Sequence, residues 1–117
     1  MDIHFQQISL IELNSVSQGD DTLKKELIEI FLEQIDQFSS NMKRFFLGND
    51  MENLAKEAHT AKSSVLIFGM KETGTSLKEI QVQAENKKTE KLLSLIQKVE
   101  LEMKTAAREL KEITGNL

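Results

Sequence analysis

From Leu92 to Ile113 the apolar residues Leu92, Ile96, Val99, Met103, Ala106, Leu110 and Ile113 recur in unbroken steps of four and three. Only an α-helix brings such positions onto one face, and sustained four-three steps form the seam of helices packed at a shallow angle. A helix of this kind cannot bury its stripe alone, so the chain must supply partners. It does so twice more. After Asp20 and Asp21, which suit a helix start, Leu23, Leu27, Ile30, Phe31, Ile35, Phe38, Met42 and Phe45 keep helical spacing as far as Gly48. Asn49 and Asp50 can cap a further helix carrying Leu54, Ala58, Ala61, Val65 and Phe68, which Gly69 ends.

The sequence contains no proline, the residue that breaks helix interiors, so nothing interrupts these stretches. Tyr and Trp are also absent, which removes two strong strand formers. A fourth helix is expected from about Lys71 through Leu77, Ile80 and Ala84, although Gly74 and the Thr and Ser around it weaken the pattern. Asn86-Lys87-Lys88-Thr89 reads as a turn, with Thr89 as the cap of the last helix. Short connections make sequence neighbours antiparallel. The expectation is an all-α, antiparallel up-down four-helix bundle, its core at about residues 20–114, within a single domain spanning 1–117. Phe5, Ile8, Leu10, Ile11 and Leu13 mark a short extra helix within Ile3 to Leu13, lying across one end.

Several functions are excluded by what is missing. Zero cysteines remove disulfides, thiol chemistry and Cys-ligated zinc. No apolar run reaches the length of a membrane span, and the first residues lack the order of a signal peptide, so a soluble cytoplasmic protein without membrane contact is expected. A net charge of −4 argues against nucleic acid as a partner. Glycine-rich phosphate loops, HExxH pairs and nucleophile elbows are absent. Glu26, Glu29, Glu33 and Asp36 fit a solvated helix face better than an acid–base pair.

One segment carries chemistry: Ala58-His59-Thr60-Ala61-Lys62-Ser63-Ser64. At about 100° per residue, His59 lies about 140° from the core direction, Lys62 about 80° and Ser63 about 180°. His59 is therefore expected to be exposed, with Lys62 and Ser63 beside it on the same surface. An imidazole with a free ring nitrogen is a nucleophile. The Lys62 ammonium can offset the charge of an arriving phosphoryl group, and small Ser63 leaves the approach open. Taken singly, each has a bland reading: a surface histidine, a solubilising lysine, helix filler. Gln34 sits inside the apolar stripe of its helix, as a polar residue at the core edge or as a group orienting His59 from the facing helix; both readings stand. His4 is expected to have no role.

The run Ala58-His59-x-x-Lys62-Ser63-Ser64, followed by Phe68-Gly69, resembles the signature of the histidine phosphotransfer (HPt) domain family, typically Ala-His-x-Leu-Lys-Gly/Ser-Ser with a Gly near the helix end. Leu27-Ile28-Glu29-Ile30-Phe31-Leu32 and the Gly48-Asn49-Asp50 turn resemble the family's entry into that helix, so the likeness covers roughly residues 20 to 110. Ser63 stands where Gly is commonest, and Ala61 replaces a larger apolar residue. The resemblance implies a phosphocarrier, not an enzyme, that takes a phosphoryl group on His59 from one receiver-domain aspartate and passes it to another. It implies partners among response-regulator receiver domains, including that of a hybrid sensor kinase, which bring the Mg²⁺; this chain needs no cofactor or metal. The exposed side of the His59 helix, with Glu52, Ala55 and Leu66, would be the docking face. The alternative is a helical interaction module that binds a partner through that face without phosphorylation.

Overall fold

The computed structural model describes residues 6–115, which form five helices: α1 (Leu10–Ser17), α2 (Asp21–Leu47), α3 (Met51–Ile67), α4 (Lys71–Glu85) and α5 (Leu92–Gly115). Helix α2 packs against α3 and α5, and α4 packs against the same two, so α2 to α5 close into a four-membered ring. Contacts between side chains give the directions. Asn41 and Glu57 meet eight residues either side of the Asn49 turn, so α2 and α3 run antiparallel. Lys43 pairs with Glu100, joining the end of α2 to the first half of α5. Ser76 and Thr73 meet Lys98 and Glu102 in reverse order, which makes α4 and α5 antiparallel. This is the expected up-down bundle.

Each boundary has a local cause. Asp20 caps α2 by accepting from the Leu23 N–H at 3.1 Å, and Asp50 caps α3 by accepting from the Asn53 N–H at 3.2 Å. Hydrogen bonds from the Asn53 side chain and backbone hold the Asp50 carboxyl below the usual carboxylate range. At the end of α2 the left-handed residue is Asn49, not Gly48, which keeps a negative φ. Thr89 serves the start of α5 through its backbone carbonyl, which accepts from the Leu92 N–H at 3.2 Å, and not through a side-chain cap.

The core follows the stripes with one shift. Helix α2 buries Ile28, Phe31, Ile35, Phe38 and Met42, whereas Leu23 and Ile30 are exposed. Ile28 continues the four-three series toward the N-terminus; Ile30 lies on the opposite face. Phe31 stacks on Phe68, ring centroids 4.4 Å apart, tying α2 to the end of α3. The six four-three stripe positions of α5 from Leu92 to Leu110 are all buried.

Two polar devices close the bundle. Glu102, buried in α5, accepts from Thr73 Oγ1 at 3.0 Å and from Lys98 Nζ at 3.1 Å. Burial by itself lowers the Lys98 pKa, but Glu102 and Glu72 outweigh it and hold the ammonium above the ordinary lysine range. Glu109, also buried, accepts from the backbone N–H groups of Gln7 at 2.9 Å and Ile8 at 3.1 Å, fastening the residues ahead of α1 to α5. A carboxylate matched to backbone donors in this way offsets its own desolvation.

The extra helix falls later than its sequence pattern suggested, at Leu10–Ser17, and Ile11 points to solvent with 81% exposure. Ile3, His4 and Phe5 lie outside the described residues. Helix α1 packs on α2 and α3, where the Ser9 N–H donates to the Phe68 carbonyl at 2.9 Å. Gly69 makes that approach possible. Its φ is +71°, and a Cβ there would lie 2.3 Å from the Ser9 Cβ. Gly69→Ala should therefore lower unfolding stability by roughly 2 kcal/mol, combining left-handed backbone strain with displacement of the Ser9 segment. Urea unfolding checks it, and a change under ~0.5 kcal/mol would show that the segment yields freely.

Candidate functional site

The α3–α4 hairpin positions the candidate residues. Its turn closes on Gly69, with the Met70 N–H donating to the Val65 carbonyl at 3.1 Å. Residues equally far from Met70 then face each other. Leu66 and Gly74, four residues either side, touch so closely that a Cβ on Gly74 would lie 2.9 Å from Leu66 Cδ2. The glycine that weakens α4 as a helix lets its axis approach α3.

Eleven residues from Met70 on each side stand His59 and Gln81. His59 lies near the middle of α3, its side chain exposed, with Nδ1 3.4 Å from Gln81 Oε1. Gln81 is half-buried on α4, and its Nε2 donates to Glu85 Oε2 at 3.4 Å. A carboxylate only accepts, so the amide nitrogen belongs on the Glu85 side and the amide oxygen on the histidine side. With the amide oriented this way, the tautomer that can bond to Gln81 carries its hydrogen on Nδ1 and its lone pair on Nε2. Both contacts are long, so they bias the tautomer and ring orientation without locking them.

Ser63 is exposed one turn beyond His59, its hydroxyl donating back to the His59 carbonyl at 3.5 Å. Lys62 is half-buried and forms no ion pair with a described residue; it borders a shallow depression with Leu66, Lys71, Gly74, Thr75 and Lys78. On the other side of His59 a groove runs between the helices over Met51, Ala55 and Ala84, flanked by Lys56, Gln81 and Lys87. Glu52 and Lys56, 3.3 Å apart, neutralise each other on that side.

Thus three sequence-selected residues, His59, Lys62 and Ser63, share one surface with the graded exposure that the helical wheel gives them. Gln34 does not join them: it is half-buried on α2 and makes no hydrogen bond to the ring. The amide that reaches His59 comes from α4, and its signal in the sequence is positional, since a tight turn at Gly69-Met70 sets Gln81 opposite His59. Ala55, taken as part of the exposed face, is buried and forms the groove floor; Glu52 and Leu66 are exposed. Among the described residues no group of three or more His, Asp or Glu side chains is placed to hold a metal ion, and no helix is long and apolar enough to cross a membrane.

The whole architecture matches the crystal structure of histidine-containing phosphotransfer protein B (HptB) from Pseudomonas aeruginosa PAO1, with a TM-score of 0.90 over 96% of this chain and 97% of that one. The sequences are 16% identical, so the likeness is one of fold. No protein-family model matches the sequence. No curated protein matches it either.

Proposed function

We propose that this chain is a phosphocarrier that accepts a phosphoryl group on His59 from the aspartate of one response-regulator receiver domain and delivers it to another. The observation that carries the reading is the exposed His59 ring, with Nδ1 3.4 Å from Gln81 Oε1, on the same surface as Lys62, which makes no ion pair with a described residue. The fold shared with HptB, whose name describes histidine-containing phosphotransfer, supports it.

In the proposed step the Nε2 lone pair attacks the phosphorus of an aspartyl phosphate. The N–P bond forms as the P–O bond to the aspartyl carboxyl breaks, and the bonding pair leaves with the carboxylate. The ring retains its Nδ1 hydrogen and becomes positively charged, a change that the Gln81 oxygen stabilises. Lys62 offsets the phosphoryl charge. Because phosphoryl transfer rests mainly on positioning and charge neutralisation, a preset nucleophile is most of what the carrier must contribute. The receiver would bring Mg²⁺ and the remaining catalytic groups, and the donor could be the receiver of a hybrid sensor kinase. On this reading the chain is a carrier in the cytoplasm, not an enzyme.

Incubation with a labelled phospho-receiver tests the proposal. Transfer of an acid-labile, base-stable label to this chain is expected, and a chain that stays unlabelled while the receiver loses phosphate only to water would overturn it. Lys62→Ala should slow transfer roughly tenfold or more without abolishing it, since a charge-assisted contact contributes about 1.5–3 kcal/mol. Single-turnover rates check this, and an unchanged rate would remove Lys62 from the site.

A further inference from the structure

The charge around His59 is lopsided. Toward the start of α3, acids and bases balance: Lys56 is paired with Glu52, and Glu85 and Lys87 border the same groove. Toward the end of α3, the lysines have no ion-pair partner among the described residues. Lys62 and Lys78 face each other, eight residues either side of Met70, and Lys71 stands at the first residue of α4; all three border one depression. None of the three makes an ion pair with a described residue, in a chain whose net charge is −4.

Two features sharpen the anomaly. No side chain caps the N-terminus of α4, and a lysine at its first residue adds positive charge where the helix dipole already disfavours it. Glu72, the acid that could compensate in that first turn, reaches instead to Lys98 at 3.5 Å on the α5 side. Like charges gathered at such a place cost stability in the isolated chain, and an acidic partner would relieve that cost.

We propose, on the premise that the chain is a phosphocarrier, that Lys62, Lys71 and Lys78 form an electrostatic docking strip for an acidic surface of the receiver protein, next to its phosphorylated aspartate. The geometry favours a protein surface over a free phosphate ion. From the level of Gln81 to Lys71 is ten residues of α4, about 15 Å, which is too long for one phosphate. Leu66, 41% exposed, sits in the middle of the strip and offers an apolar contact that a phosphate ion cannot use. The strip begins beside His59, so it steers the receiver from one end and sets its orientation on the bundle. Charges arranged in this way act mainly on the rate of encounter, and salt screens them over a Debye length of about 8 Å at physiological ionic strength.

The test uses Lys71→Gln with Lys78→Gln, which spares Lys62, and a control of equal charge change on α5, Lys104→Gln with Lys111→Gln. Transfer from a labelled phospho-receiver is measured under second-order and saturating conditions across a range of salt. The strip variant should lose about tenfold in the second-order rate at low ionic strength, the difference closing as salt rises. Its rate at saturating receiver should match the parent, and the control should match the parent throughout. An unchanged salt dependence in the strip variant, an equal loss in the control, or a loss confined to the saturated rate would each overturn the strip while leaving the carrier reading intact. A parent chain that takes no label would overturn both.

Discussion

Replacing His59 with Gln should abolish uptake of acid-labile label from a phosphorylated receiver and leave helicity and the unfolding midpoint nearly unchanged. The two halves of this expectation have separate causes. The ring is exposed and makes one long contact, to Gln81, so its removal opens no cavity and strands no buried group. Exposed substitutions of this kind usually shift stability by no more than about 0.5 kcal/mol. The loss of function should nevertheless be complete, because a Gln amide can approximate the shape and hydrogen bonding of imidazole but has no nucleophilic nitrogen lone pair. His4 lies outside the described residues and is the only other histidine, so His4→Gln provides the comparison and should label like the parent. Persistent labelling of the His59 variant would sink the assignment. A fall in helicity would instead mean that the residue supports the bundle.

How far the site could be read from sequence depended on distance along the chain. Periodicity within one helix gives directions, so the exposure of His59 and Ser63 and the half-burial of Lys62 followed from a wheel drawn on α3 alone. What meets those residues from other helices depends on interhelical register, which a single helix does not encode. Gln34 and Gln81 are both half-buried on helices that pack against α3, and only Gln34 stood out in the sequence; the Gly69 turn and the close fit of Gly74 on Leu66 bring Gln81 to the ring. Ala55 shows the same limit in reverse. Its side chain is so small that the neighbouring Met51 and Ala84 shelter it even at the rim of the helix face. The exchange of Ile30 for Ile28 in the α2 core was legible in the spacing, because only Ile28 extends the four-three series of Phe31, Ile35, Phe38 and Met42. Glu102 and Glu109 were hidden for a related reason: a buried acid is legible only once its donors, from α4 and from the residues before α1, are in place.

Ser63 is where the sequence departs from the pattern it resembles, and its size should control the rate. It stands one turn beyond His59 on the exposed surface, and its hydroxyl is turned back onto the His59 carbonyl at 3.5 Å, so little projects toward the ring. If His59 is the phosphoacceptor, an aspartyl phosphate must bring phosphorus within about 3–3.5 Å of its nitrogen, and a displacement of about 1 Å can cost on the order of a hundredfold. Ser63→Gly should therefore keep or raise the transfer rate while costing up to about 1 kcal/mol of helix stability. Ser63→Gln should do the opposite. Gln is a better helix former than Ser, so the melting point holds or rises, but three more heavy atoms one turn from the nucleophile keep the receiver back and slow transfer roughly a hundredfold. The opposed signs separate access from stability, since a site limited by local order would favour the Gln variant and penalise the Gly one. Single-turnover rates for both variants against one receiver, alongside their melting curves, decide between these. A Gln variant that transferred as fast as the parent would move the docking face away from the exposed side of α3.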